Sequence, residues 1–82
     1  MEILPSARKH NVGDDDMVHA FENCLEWVEI GEDPFRYLTA GPDLAGNVIE
    51  LVIVVAEDVE LLIHAMPIRR STEEALFGGP RE

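Results

Sequence analysis

Hydrophobic positions recur at two different periods along the chain, and the change from one period to the other divides it into elements. Met17, Phe21, Cys24 and Val28, with Val18 and Leu25 alongside, follow at three- and four-residue steps, which places them on one face of a helix. Gly13 can serve as the N-cap, Asp14, Asp15 and Asp16 match the positive end of the helix dipole, and Val12 can pack on Met17 as a hydrophobic staple. From Leu25 the stretch LEWVEI alternates apolar and acidic residues, so the helix is predicted to end near Cys24 and a strand to begin. GEDP makes a turn, FRYLTAG a second strand and GPDLAGN another turn. NVIELVIVVA, with β-branched residues on both faces, reads as a strand covered on both sides. EDV then leads into ELLIHAM, which returns antiparallel as a hairpin.

In that last strand His64 shares the parity of Glu60, Leu62 and Met66, while Leu61, Ile63 and Ala65 point to the opposite, core face. Pro67 stops the strand. RRSTEEALFGGP then predicts a short helix, with Ser71 as N-cap, Glu74 completing a capping box, and Gly78, Gly79 and Pro80 ending it. The expected fold is α+β: one domain over residues 1–82 in which an antiparallel four-stranded sheet is packed by an N-terminal helix and a short C-terminal helix.

Composition narrows what such a domain can do. A chain of 82 residues supports one small core, and its longest apolar run, Leu51 to Ala56, is too short to span a bilayer. The start MEILPSARKH has neither the basic opening nor the apolar stretch of a signal peptide, so a cytoplasmic protein without a membrane role is expected. Cys24 is the single cysteine, which rules out an internal disulfide and makes a buried apolar role the expectation. Seventeen acids against six bases give a formal net charge of -11, a balance that opposes nucleic-acid binding unless the bases gather in one place.

The bases do gather in sequence. Arg8 and Lys9 precede His10, and Arg69 and Arg70 follow His64 by a few residues. Arg69 and Arg70 stand just before a helix start, where the macrodipole does not favour cations, so each wants an anion. An internal acid such as Glu73 or Glu74, an acidic partner or an RNA phosphate would serve. An imidazole beside cations is what metal-independent RNA cleavage uses: it moves protons at the 2′-hydroxyl and the leaving oxygen while Arg or Lys stabilises charge on phosphorus. His19, off the apolar stripe, reads as a solvated surface residue. Asp14 to Asp16 read as a helix first turn and not as a metal site, because adjacent helical residues point in different directions. No zinc motif, phosphate loop or hydrolase elbow is present, and no cofactor or metal is expected.

Taken in order, ARKHNV before an acidic helix start and IHAMPIRRST after the strands resemble the BrnT-like toxins of bacterial type II toxin–antitoxin systems. The likeness runs over roughly residues 4 to 76 through short motifs. It implies a RelE-like fold, a metal-independent ribonuclease acting on RNA, and a DNA-binding antitoxin as partner. Lys9 and His10 fall on the first motif, with Asn11 in place of its usual glycine, and Arg69 and Arg70 fall on the second. The site expected from the combined readings has His10, His64, Arg69 and Arg70 as catalytic residues and Arg8 and Lys9 as substrate-binding residues. Such toxins tend to be basic, whereas here Ser71 leads into Glu73 and Glu74. The alternative is therefore a catalytically inactive acidic interaction module that binds a basic protein. An exposed edge strand adds a possible homodimer. The nuclease reading requires the two ends of the chain to meet and the arginines to be available to an anion.

Overall fold

In the computed structural model, which describes residues 1–78, the elements run β1 (Glu2–Ile3), a 3₁₀ turn (Pro5–Arg8), α1 (Asp14–Glu22), β2 (Glu26–Gly31), β3 (Phe35–Pro42), β4 (Val48–Ala56), β5 (Val59–Pro67) and α2 (Arg70–Phe77). The class is α+β, as expected. The sheet has five strands, not four, in the order β1-β5-β4-β3-β2, and it is mixed: β1 pairs parallel to β5 while the other neighbours are antiparallel. The extra strand escaped the sequence reading because two residues show no alternation; Glu2 and Ile3 are extended by pairing with Leu61 and Leu62.

Boundaries shift for local reasons. α1 stops at Glu22 rather than near Cys24, and Asn23 closes it by donating its backbone N–H to the His19 carbonyl. Cys24, expected to be buried, is exposed. The terminal helix begins at Arg70 with Arg69 as its N-cap, so Ser71 lies inside the first turn and makes no cap. Gly78 follows the helix with a φ of 80°; Gly79 and Pro80, the remaining residues of the expected stop, lie outside the described residues. The β4–β5 hairpin turns on Glu57 and Asp58, both left-handed at φ 50° and 69°, the twist that two-residue hairpins require.

The core lies on one face of the sheet. Ile49, Leu51, Ile53, Leu62 and Ala65 from β4 and β5 meet Ala7 from the 3₁₀ turn and Met17 and Ala20 from α1. Met17, Leu51, Ile53 and Leu62 are wholly buried, each worth about 1.5–3 kcal/mol of transfer free energy. α1 crosses β3 so closely that a Cβ on Gly41 would collide with the Ala20 carbonyl. α2 rests against β2 and β3.

A register shift decides what the fifth strand presents to each face. Val52 pairs with His64 but the next residue, Ile53, pairs with Leu62, which leaves Ile63 unpaired in a β-bulge. Strict alternation fails there. Leu62 joins Ala65 on the core face, while Leu61 and His64 face the other way with Met66 and Glu50. The parity read from sequence, with Leu61 and Ile63 in the core and Leu62 beside His64, is thereby corrected.

Candidate functional site

Glu50 sits near the start of β4 on the non-core face, and its side chain is completely inaccessible to solvent. A buried carboxylate is costly unless every oxygen is matched. Here both are. Oε1 accepts the Arg69 backbone N–H at 3.0 Å, and Oε2 accepts Arg69 Nε at 3.0 Å, Arg69 Nη2 at 2.7 Å and His64 Nε2 at 2.8 Å. The buried Thr72 hydroxyl stands beside the same carboxylate and favours its charged form. Burial alone would push this carboxyl up, but Arg69, Thr72 and His64 outweigh it and hold Glu50 at about 2, against an ordinary 4.5. Glu50 also stands where the orphan N–H groups of α2 begin, so the same carboxylate caps the helix that Ser71 was expected to cap.

This bonding fixes the protonation pattern of His64. An ionised carboxylate can only accept, so Nε2 carries the proton and Nδ1 is the nitrogen left for chemistry. The His64 side chain is 25% exposed, and that of Arg69 is 55% exposed, its Nη1 making no bond among the described residues. Buried Glu50 therefore acts as a positioning residue beneath two groups that solvent can reach.

The N-terminal segment is tied to the same place. Leu4 donates its N–H to the Leu62 carbonyl at 3.0 Å, and Ser6 Oγ donates to the carbonyl of Ile63, the bulged residue, at 2.7 Å. Downstream, Asn11 turns the chain with a φ of 63°. Arg8 clamps that turn by a two-pronged bond to Asp14, Nε to Oδ1 and Nη2 to Oδ2, both at 2.9 Å. That bond lowers the Asp14 pKa and raises that of Arg8. The result brings the imidazoles of His10 and His64 edge to face, with ring centroids 5.7 Å apart and planes at 75°.

Of the six residues expected to form the site, the fold thus gathers His10, His64 and Arg69. Arg8 is engaged with Asp14 and serves the turn. Lys9 and Arg70 are exposed and, among the described residues, form no salt bridge. The anion that Arg69 needed is neither Glu73 nor Glu74 but Glu50, which sequence reasoning missed. Its signal was a single acid inside the otherwise apolar run VIELVIVV, an arrangement that demands a buried partner. His19 also departs from expectation: it is half-buried, and its Nδ1 bonds the Pro42 carbonyl at 2.8 Å, fastening α1 to β3. The aspartates of the first turn are structural, Asp14 through Arg8 and Asp16 by accepting the Leu44 N–H at 2.9 Å. Comparison with protein families, curated proteins and solved structures finds no match to the chain.

Proposed function

We propose that this domain cleaves RNA without a metal ion, using His64 and His10 as base and acid, in the manner of a toxin of a toxin–antitoxin system. The observation that carries the reading is the pairing of two imidazoles 5.7 Å apart, one of them bonded to a wholly buried carboxylate that also grips an exposed arginine. His64 Nδ1 takes the proton of the 2′-hydroxyl, and the resulting imidazolium is stabilised by Glu50 on its other nitrogen. The freed 2′-oxygen attacks phosphorus, the bond to the 5′-oxygen breaks, and His10 delivers a proton to that leaving oxygen. Charge on the phosphoryl oxygens falls to the open side of Arg69, with Arg70 and Lys9 contributing at longer range. The products are a 2′,3′-cyclic phosphate and a 5′-hydroxyl. The resemblance of ARKHNV and IHAMPIRRST, in that order, to the BrnT-like motifs supports the same reading.

The test is cleavage of a single-stranded RNA by the purified chain in EDTA, with products analysed for the cyclic phosphate. His10→Ala and His64→Ala are each expected to slow cleavage by about 10²–10⁴-fold while leaving the circular dichroism spectrum unchanged. A 2′-deoxy substitution at the scissile nucleotide should abolish the cut. Arg70→Ala is the better probe of phosphate contact, because Arg69 also neutralises Glu50 and its loss would disturb the fold. Cleavage that persists in the double histidine variant, or none above background in the parent chain, overturns the proposal.

A second reading, an inactive acidic interaction module, draws support from the ion pairs that already occupy Arg8 and Arg69 and from the net charge of -11. It predicts no cleavage and tight binding to a basic protein.

A further inference from the structure

On the face of the sheet opposite His64, the face that α1 packs on, lies an open pocket of about 490 Å³ that the proposed chemistry does not use. Four aromatic side chains wall it, Phe21 from α1 and Trp27, Phe35 and Tyr37 from the sheet. Trp27 and Tyr37 meet at 5.7 Å between ring centroids and 69° between planes, and Phe35 and Tyr37 at 5.8 Å and 43°. Cys24 and Glu60 complete the rim, and among the described residues no lysine or arginine lines it. Glu29 pairs with Tyr37 across β2 and β3, so register places a second carboxylate on this face. Trp27 is 57% exposed and Phe35 37% exposed, large apolar surfaces left uncovered in a small domain.

β2, which carries Trp27 and Glu29, is the last strand of the sheet, and its outer edge pairs with no strand among the described residues. Five of its six residues are exposed. An edge of this kind is a template for another extended chain. Charge selects which chain: Glu26 and Glu29 on β2, Glu60 at the pocket and a net charge of -11 repel a second copy of this protein and attract a cationic segment. Aromatic walls joined to a carboxylate are the chemistry that holds an ammonium or guanidinium head with its apolar stem.

We infer that the β2 edge and its aromatic pocket bind an extended, basic segment of a partner protein, which adds a strand to β2 and places one Lys or Arg side chain among Trp27, Phe35 and Tyr37, facing Glu60. The surface is distinct from the His10–His64 site and does not depend on cleavage there.

Trp27 is the sole tryptophan, so its fluorescence reports on this pocket alone. The probe is an eleven-residue synthetic peptide alternating Lys with Val or Thr, compared with the same peptide in which one central Lys is norleucine and with free butylammonium. The lysine peptide should shift the Trp27 emission saturably; the norleucine version and the Glu60→Gln protein should each bind about tenfold more weakly. By calorimetry, Trp27→Leu should cost a similar factor. Equal titration by the two peptides, or an unaltered affinity in Glu60→Gln, would show a merely apolar pocket and defeat the inference. Butylammonium binding as tightly as the peptide would assign the pocket to a small amine instead. A concentration-dependent dimer that buries Trp27 would assign the edge to a second copy, with the same consequence.

Discussion

The two faces of the sheet solve opposite problems with the same residue type. Beside β5, the carboxylate of Glu50 is sealed from water, fully bonded, and used to hold His64, Arg69 and the start of α2. On the opposite face, the carboxylate of Glu60, carried by β5, stands at the rim of an apolar, open pocket with no cation lining it among the described residues. The first acid is a fixture of the fold and the second is available to something outside it. Local surroundings, rather than sequence context, make the difference: Glu50 lies beneath Arg69 at the start of α2, whereas Glu60 follows the β4–β5 turn and borders an open pocket.

Removing each acid tests that contrast most directly. Glu50→Ala should destabilise the domain by about 3–5 kcal/mol, because it leaves Arg69 and His64 without their partner and opens a buried void, and urea unfolding would register the loss as a lower midpoint. A fall of less than 1 kcal/mol would mean that Glu50 is not the pin described here.

Acid should act on the same group more gently. With its folded value near 2 and its ordinary value 4.5, Glu50 binds fewer protons in the folded state than in the unfolded state between those limits. Its contribution of about 3 kcal/mol is therefore complete above roughly pH 5 and is lost as pH falls toward 2. Thermal melts across that window should decline in the parent chain and flatten in a Glu50→Gln variant. On the other face, Glu60→Gln should change stability by no more than about 0.5 kcal/mol, as befits a rim residue. A large effect there would erase the distinction between the two acids.

Much of the architecture was legible because hydrophobic period reports local geometry. The apolar steps of α1, the alternation of β2 and the doubly buried composition of β4 each placed an element within a few residues of where it lies. The candidate site was legible only in its parts. His10, His64 and Arg69 stood out as scarce residue types, but Glu50 was hidden among sixteen other acids until its burial set it apart. The bulge at Ile63 was invisible for a different reason: an inserted residue changes which side chains face the core, yet nothing in LLIHAM announces it. Arg69 and Arg70, adjacent in sequence, also parted company, one bonded to Glu50 and the other exposed.

What the sequence determined by itself was the α+β class, the order of the main elements and the acidic character of the whole, since these follow from period, turn residues and charge. What only the tertiary structure decided was that residues from the two ends of the chain come together. His10 reaches His64 because β1 pairs with β5 and Ser6 bonds the carbonyl left over by a bulge. Glu50 takes up Arg69 because a desolvated carboxylate must be matched by whatever donors the fold brings to it. Those contacts join the two ends of the chain, Ser6 and Ile63 being 57 residues apart, and the hydrophobic pattern, being a record of neighbours three or four places away, carries no trace of them.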